Sequence, residues 1–177
     1  LIFLKSSEKN NSYFIDWKNN ENILYIKNLK GENNLITRNI YSNNKTYKSL
    51  YRFEKINGFS FNTKQNLIAL SATVSNQSDI YLLSASSDNL KKLTDDKYHD
   101  IYPSFLNNST TVIFSSNRNS IDLENIQSSE NVSEYYNLYL YNLDTTSTKL
   151  YKLTNTLANN IKAKPLTDNK VLYLSDI

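Results

Sequence analysis

His99 is the single histidine of this 177-residue chain, and it lies in a short acidic segment. A Ser-His-Asp triad would need His99 as its base. The nearby candidates for the other two members are three aspartates and a serine: Asp95, Asp96, Asp100 and Ser104. Neither of the two glycines lies in a nucleophile elbow or a phosphate-binding loop. We therefore expect His99 to be a structural or loop residue and predict no catalytic residues.

Metal binding in the same segment would depend on oxygen ligands. Zinc sites use three or four Cys and His ligands together, and a chain with one His and no Cys cannot supply them. The run Asp-Asp-Lys-Tyr-His-Asp at 95–100 offers carboxylates, which calcium accepts, but it lacks the alternating ligands and the glycine of a calcium loop. Charged runs are usually solvated. We interpret the segment as a solvated connection between two structural units, and we predict no metal site and no cofactor.

A third candidate is the segment 45–55, which interleaves basic and aromatic residues. Such a mixture can stack on bases or contact an anionic polymer. However, Tyr47, Leu50 and Tyr51 follow the i, i+3, i+4 spacing of a short helix, and the net charge of the whole chain is only +3. We therefore expect a short helix that covers a sheet edge, and no nucleic-acid partner. Acidic pairs for glycoside cleavage stay open, because no pair stands out and their spacing is three-dimensional.

The composition indicates a globular chain with unusual turns. Hydrophobic residues make up 39% and charged residues 21% of it, and there are 28 Asn but only two Gly and two Pro. Asn tolerates the left-handed conformation and hydrogen-bonds its own backbone, so we expect Asn, Asp and Ser to form the turns. No apolar run approaches the roughly 18 residues of a membrane-spanning helix, so no transmembrane segment is predicted.

A repeat of short apolar segments positions these candidates. One segment occurs four times, another follows it three times, and a third closes the unit with an apolar residue and Thr. The first segment lies at 2–6, 68–72, 112–116 and 172–176. The second lies at 23–27, 79–83 and 137–141, and the third lies at 36–37, 93–94 and 153–154. A weaker segment precedes the first at 59–61, 103–105 and 164–166. The step from Leu70 to Phe114 is 44 residues, which is typical of a four-stranded propeller blade (~40–45 residues).

The repeat predicts an all-β fold, a β-propeller fragment of about two full four-stranded blades plus two partial blades. The segments are apolar on both faces, as in sheets that stack against one another. We expect residues 1–177 to form a single incomplete domain. Its blade pieces are predicted at about 1–37, 57–94, 101–154 and 161–177, with loop insertions at about 38–56 and 117–135.

Residues 98–118 resemble the WD40-like (PD40) repeat of TolB and its relatives. Tyr-His-Asp-Ile-Tyr-Pro-Ser-Phe at 98–105 is similar to the first strand of that repeat, and Val-Ile-Phe-Ser-Ser-Asn-Arg at 112–118 is similar to its second. Leu-Asn-Asn-Ser at 106–109 stands where the family has Ser-Pro-Asp-Gly, in keeping with the scarcity of Gly and Pro. Asp-Ile-Tyr at 79–81 and Leu-Thr at 93–94 match the later half of the repeat.

The resemblance implies a fragment of a larger bacterial envelope protein, located in the periplasm or outside the cell. It implies a non-catalytic platform that binds protein or peptide through loops at one end of the blades, alongside the remaining blades of its parent chain. Two alternatives remain open. One is an accessory propeller of a secreted hydrolase, such as a prolyl-oligopeptidase-like peptidase, with its catalytic domain elsewhere. The other is a carbohydrate-binding or lyase propeller. No set of ligand residues accompanies the repeat.

Overall fold

The computed structural model describes residues 12–107, 109–119, 132–144, 150–167 and 170–177. Within these ranges every regular secondary-structure element is a β-strand. The strands form three four-stranded antiparallel sheets and one two-stranded sheet. This confirms the all-β prediction. No helix in the described ranges is long and apolar enough to cross a membrane. The chain divides into two compact units, residues 1–52 and 53–177.

The first unit contains one sheet with its strands in chain order. The strands are β1 (Ser12–Trp17), β2 (Asn22–Leu29), β3 (Glu32–Asn39) and β4 (Lys45–Ser49). β2 and β3 are joined by a two-residue turn in which Lys30 and Gly31 have φ values of 52° and 90°. Such left-handed turns match the twist of antiparallel strands. The apolar side chains at the middle of the sheet, Leu24, Ile26, Leu35 and Ile36 among them, are buried.

Strand β4 corrects two predictions. Residues 45–49 fall in the predicted insertion 38–56 and in the predicted helix, yet they pair with β3, with Tyr47 opposite Ile36. The pair Ile36-Thr37 therefore lies in the third strand and does not close its unit. The physical reason is that a helix of one or two turns has little stability of its own, whereas the open edge of β3 offers partners for every second backbone group. The predicted strand at 2–6 lies outside the described residues.

The second unit contains the other three sheets, again in chain order. The strands of the first of these sheets are β5 (Lys55–Asn62), β6 (Leu67–Val74), β7 (Gln77–Ser84) and β8 (Leu90–Lys92). Those of the second are β9 (Asp100–Phe105), β10 (Thr111–Ser116), β11 (Asn137–Asn142) and β12 (Leu150–Lys152). The last sheet pairs β13 (Asn160–Thr167) with β14 (Lys170–Ser175). Most of the segment 117–135, which joins β10 to β11, lies outside the described residues.

The core of this unit lies between neighbouring sheets. Phe114, Tyr139 and Tyr141 on one face of the β9–β12 sheet pack with Ile80 and Leu93 of the preceding sheet and its loop. On the opposite face, side chains of β10 and β11 pack against β13; these are Ile113, Leu138 and Ala163. Burying each large apolar side chain stabilises the fold by about 1.5–3 kcal/mol. Both faces of the central strands are thus covered, which explains their two-sided apolar pattern.

Asparagine takes the place of glycine in the turns, as predicted. Asn43, Asn66, Asn76 and Asn107 have φ values of 61°, 55°, 64° and 41°. In the β6–β7 hairpin, Ser75 and Asn76 together form a two-residue left-handed turn between the paired residues Val74 and Gln77. These residue types tolerate that conformation at low cost because their short polar side chains bond locally.

Candidate functional site

Four charged side chains meet between the β5–β8 sheet and the β9–β12 sheet. We call this set the charged junction; it consists of Asp79, Asp96, Asp100 and Arg118. Asp79 lies in β7, Asp96 lies in the loop before β9, and Asp100 begins β9. Asp100 pairs with Ser116 across the sheet, and Arg118 follows two residues later, so the strand register itself brings the arginine to the aspartate.

Arg118 is the centre of the charged junction. Its Nη2 lies 2.5 Å from Oδ2 of Asp100 and 3.1 Å from Oδ2 of Asp96. Its Nε donates a hydrogen bond of 2.8 Å to the Ser116 hydroxyl, and its backbone carbonyl accepts one of 2.7 Å from the Tyr139 hydroxyl. Arg118 is 1% exposed and Asp100 is 0% exposed. Since a lone buried charge is very costly, this geometry makes each ion depend on the other.

Aromatic rings enclose the guanidinium. Its central carbon lies 5.6 Å from the ring centres of Tyr98 and Tyr139 and 5.8 Å from that of Phe114. The ring faces carry partial negative charge, which attracts a cation that has lost its water. These rings also exclude water from the cluster, which strengthens the ion pairs.

Asp79 joins the same cluster through a second cation. Its Oδ2 lies 2.9 Å from Nζ of Lys92, which also contacts Asp95 at 2.5 Å. Carboxylate oxygens of Asp79, Asp96 and Asp100 lie within 4.8 Å of one another. Oxygens alone would suit a hard cation. However, Arg118 and Lys92 already supply two positive charges against the three carboxylates, so the donor set has the chemistry of an ion-pair network.

Burial changes the proton affinity of these groups. Burial raises the pKa of Asp79 to about 6, and the nearby Lys92 only partly opposes this. Burial also raises the pKa of Asp100, against the attraction of Arg118. For Arg118, burial lowers the pKa, but the carboxylates of Asp100 and Asp96 outweigh it and the net change is upward. Arg118 is therefore charged at neutral pH, and Asp79 titrates under mildly acidic conditions.

A second set of polar residues lies between the β9–β12 sheet and the β13–β14 sheet. We call this set the neutral junction; it consists of Asn137, Thr156 and Asn160. Oδ1 of Asn137 accepts hydrogen bonds of 3.1 Å from the Thr156 amide and 3.3 Å from Nδ2 of Asn160. Nδ2 of Asn160 also donates to the Thr156 hydroxyl at 2.6 Å. Amides and hydroxyls both donate and accept, so these side chains bond one another without a charge.

The two junctions occupy equivalent positions in consecutive repeats. Ahead of the charged junction, the hydroxyl of Thr94 accepts the Ile80 amide at 3.0 Å; ahead of the neutral one, the hydroxyl of Thr154 accepts the Leu138 amide at 2.8 Å. Asp79 directly precedes Ile80, and Asn137 directly precedes Leu138. In the same way, Asp96 lies two residues after Thr94, and Thr156 lies two residues after Thr154. Asp100 is the first residue of β9, and Asn160 is the first residue of β13.

Comparison with known proteins identifies the fold. No family model and no curated protein matches this sequence. Among solved structures, TolB from Acinetobacter baumannii matches with a TM-score of 0.72 and 14% identity, over 94% of this chain and 38% of that chain. The tricorn protease matches with a TM-score of 0.62 and 14% identity, over 90% of this chain and 19% of that chain.

An acylaminoacyl peptidase from Pyrococcus horikoshii also matches, with a TM-score of 0.53 and 11% identity, over 86% of this chain and 26% of that chain. This chain has the fold of a TolB-like β-propeller. It spans less than two fifths of the length of that TolB, so it is a propeller fragment, as the repeat predicts. The sheets described above are its blades, and the two junctions join consecutive blades.

The triad candidates of the sequence analysis take other roles in the propeller. Nδ1 of His99 accepts the Ser78 amide at 3.4 Å, and the His99 amide donates to Oδ1 of Asn117 at 2.7 Å. Ser104 is 2% exposed and lies in β9 opposite Ile113. Among the described residues, no hydrogen bond joins His99 to Ser104. His99 and Ser104 are therefore not arranged as a base and its nucleophile.

The segment 95–100 is only partly the solvated connection that its charge indicates. The side chain of Asp95 is 83% exposed, but that of Asp96 is 2% exposed and that of Asp100 is 0% exposed. The solvated interpretation was wrong for these two, because Arg118 neutralises them inside the blade junction. Sequence reasoning also missed Asp79 and Arg118. Their signal was present in the Asp-Ile-Tyr and Ser-Ser-Asn-Arg segments, which were used only as marks of the repeat.

Proposed function

We propose that this chain is a non-catalytic propeller scaffold of a bacterial envelope protein that binds protein or peptide partners. The burial of the charged junction carries the proposal. A general acid or base must reach its substrate, whereas Asp79, Asp100 and Arg118 are at most 1% exposed. The three side chains of the neutral junction bond one another without a charge. Both observations favour a structural role for the charges.

Support for partner binding and for location comes from the resemblance to TolB-like propellers. Such propellers act as interaction platforms outside the cytoplasm. We therefore propose a periplasmic or extracellular location and recognition through surface segments of the blades. Connecting segments at the surface usually carry the function of a rigid scaffold, because they change without disturbing its core.

A second candidate function is that of an accessory propeller in a secreted hydrolase. The matches to the tricorn protease and to an acylaminoacyl peptidase favour it. The catalytic groups would then lie in another part of the parent protein. Sequence flanking residues 1–177 separates the two candidates, since a Gly-x-Ser-x-Gly segment followed by Asp and His would favour the hydrolase.

The proposal is tested with the purified chain and panels of peptidase, esterase and glycosidase substrates. We expect no turnover above that of a sample treated identically without the protein. A His99→Ala variant is the matched comparison, because His99 is the base that any triad in this chain would use. Turnover that survives purification and disappears in this variant, or in Asp100→Asn, would overturn the proposal.

A further inference from the structure

Strand β4 forms an outer edge of the first sheet and differs from the corresponding strands of the second unit. β4 pairs only with β3 among the described strands, and it is five residues long, whereas β8 and β12 have three each. Lys45, Thr46, Tyr47 and Ser49 are exposed. Very short edge strands protect a sheet from adding another strand, so β4 is the less protected edge.

The backbone of β4 directs alternate groups away from β3. The Leu50 amide donates to the Asn33 carbonyl at 2.8 Å, and the Asn39 amide donates to the Asn44 carbonyl at 2.9 Å. In an antiparallel pair the bonded residues alternate, so the even positions from 44 to 50 turn toward β3. The amides and carbonyls of Lys45, Tyr47 and Ser49 therefore point outward, spaced to pair with an extended peptide.

The charge along this edge is positive. The sequence from 38 to 53 contains four cations, Arg38, Lys45, Lys48 and Arg52, and no acid. Arg38 and Lys45 lie directly opposite each other in the β3–β4 register. Like charges in that position repel, and Nε of Arg38 is buried without a hydrogen-bond partner. A carboxylate on a strand added beside Lys45 would offset this pair of like charges.

Exposed tyrosines surround the same edge. Tyr47 is 57% exposed and lies on the same face of the strand as Lys45. Tyr41 and Tyr51, just before and after β4, are 75% and 69% exposed, and the Arg52 guanidinium lies 5.7 Å from the Tyr51 ring centre. Tyrosine and arginine are enriched at interfaces because they combine a large contact area with polar groups that bond at low entropic cost.

We propose that β4 binds an extended acidic peptide segment, which adds a fifth strand to the first sheet. An Asp or Glu of that segment opposite Lys45 pairs with the ammonium of that lysine, and the added backbone pairs with Lys45, Tyr47 and Ser49. This inference rests on the proposed binding function and names the chemistry of one partner. A nucleic acid would meet the same positive charge but lacks the backbone that pairs with a strand edge.

The test measures fluorescence anisotropy with a short labelled peptide of alternating Glu and Val. The comparison ligands are its Lys–Val counterpart, a Glu–Val peptide with alternate amides N-methylated, and oligouridylate. We expect the Glu–Val peptide alone to bind with appreciable affinity. Lys45→Glu is expected to weaken it by roughly tenfold or more, because it places like charges in register. Lys91→Glu is the matched control, with the same charge change on the three-residue β8, and is expected to leave affinity unchanged.

Three results would overturn the edge proposal: no binding of the Glu–Val peptide, equal binding of its N-methylated form, or tighter binding of oligouridylate. Equal loss in Lys45→Glu and Lys91→Glu would also overturn it, since attraction would then depend on net charge alone. Circular dichroism establishes that both variants keep their strands. If the Glu–Val peptide does not bind and the substrate panels show no turnover, the edge proposal fails and the scaffold function stands. If turnover is found and is lost in His99→Ala, the scaffold function fails whatever the peptide result.

Discussion

In the charged junction Asp96 and Asp100 pair with Arg118 and Asp79 lies beside them, whereas in the neutral junction the positions of the three aspartates are occupied by Asn137, Thr156 and Asn160. The surrounding geometry is the same in both. Beside the charged junction, the His99 amide donates to Oδ1 of Asn117, directly after β10, at 2.7 Å. Beside the neutral junction, the Asn159 amide donates to Oδ1 of Asp176, directly after β14, at 2.6 Å. Both blade contacts therefore place polar groups at these positions, paired as ions in one case and as amides and hydroxyls in the other. We expect the two junctions to differ in how much stability the protein loses when one of their side chains is replaced.

The largest effect is expected from Arg118→Met, which keeps the length of the side chain and removes its charge. Asp96 and Asp100 would remain buried without their cation, and breaking a buried ion pair in this way costs about 3–5 kcal/mol of the free energy of unfolding. Urea denaturation followed by circular dichroism measures the change. The control is Arg52→Met, whose side chain is exposed, with an expected change below about 0.5 kcal/mol. A cost under about 1 kcal/mol for Arg118→Met would contradict the paired-ion interpretation.

A pH dependence specific to the charged junction is expected next. The pKa of Asp79 is about 6 in the folded protein and 3.8 ordinarily, so the folded state holds this proton more tightly. Its contribution to stability is complete below about pH 4 and is lost as the pH rises through about 6, by on the order of 2–3 kcal/mol. Asp79→Asn, which copies Asn137, should flatten the stability profile in this window. Glu32→Gln, at an exposed site, should not; equal profiles for wild type and Asp79→Asn would refute the assignment.

Asn137→Ala tests the neutral junction. It removes the acceptor of the Thr154 hydroxyl and the Thr156 amide, which lie 2.9 and 3.1 Å from Oδ1 of Asn137. Neutral groups left without partners cost about 1–3 kcal/mol, less than uncompensated ions. Thermal and urea unfolding measure the loss, with exposed Asn155→Ala as the control. A loss as large as that of Arg118→Met would mean that charge does not distinguish the junctions.

The smallest effect is expected when the charged junction is converted as a whole. The combination of Asp79→Asn, Asp96→Thr, Asp100→Asn and Arg118→Met removes all four charges. Its three aspartate substitutions copy Asn137, Thr156 and Asn160 of the next repeat. Replacing a complete buried ion network is often close to neutral, so we expect a change within about 1.5 kcal/mol of wild type. If the combined variant is as unstable as Arg118→Met alone, the two junctions are not interchangeable solutions.

The strands of the second unit could be predicted because their signals are local. A strand such as β11 combines large apolar residues on both faces with a following Thr, and this pattern recurs at the spacing of a blade. The same reasoning failed at residues 45–49. The five-residue stretch Lys-Thr-Tyr-Lys-Ser fits one side of a helix as well as an edge strand, and only the neighbouring β3 decides between them.

The sequence by itself determined the all-β class, the order of the strands in the second unit and the use of asparagine in the turns, since each depends on residues close together in the chain. Tertiary structure decided which polar residues share a junction. Asp79, Asp96 and Arg118 come from different strands and loops, and their burial depends on the packing of two blades. From the sequence alone a charged run is expected to face water, and only the approach of a cation from another strand makes its burial possible.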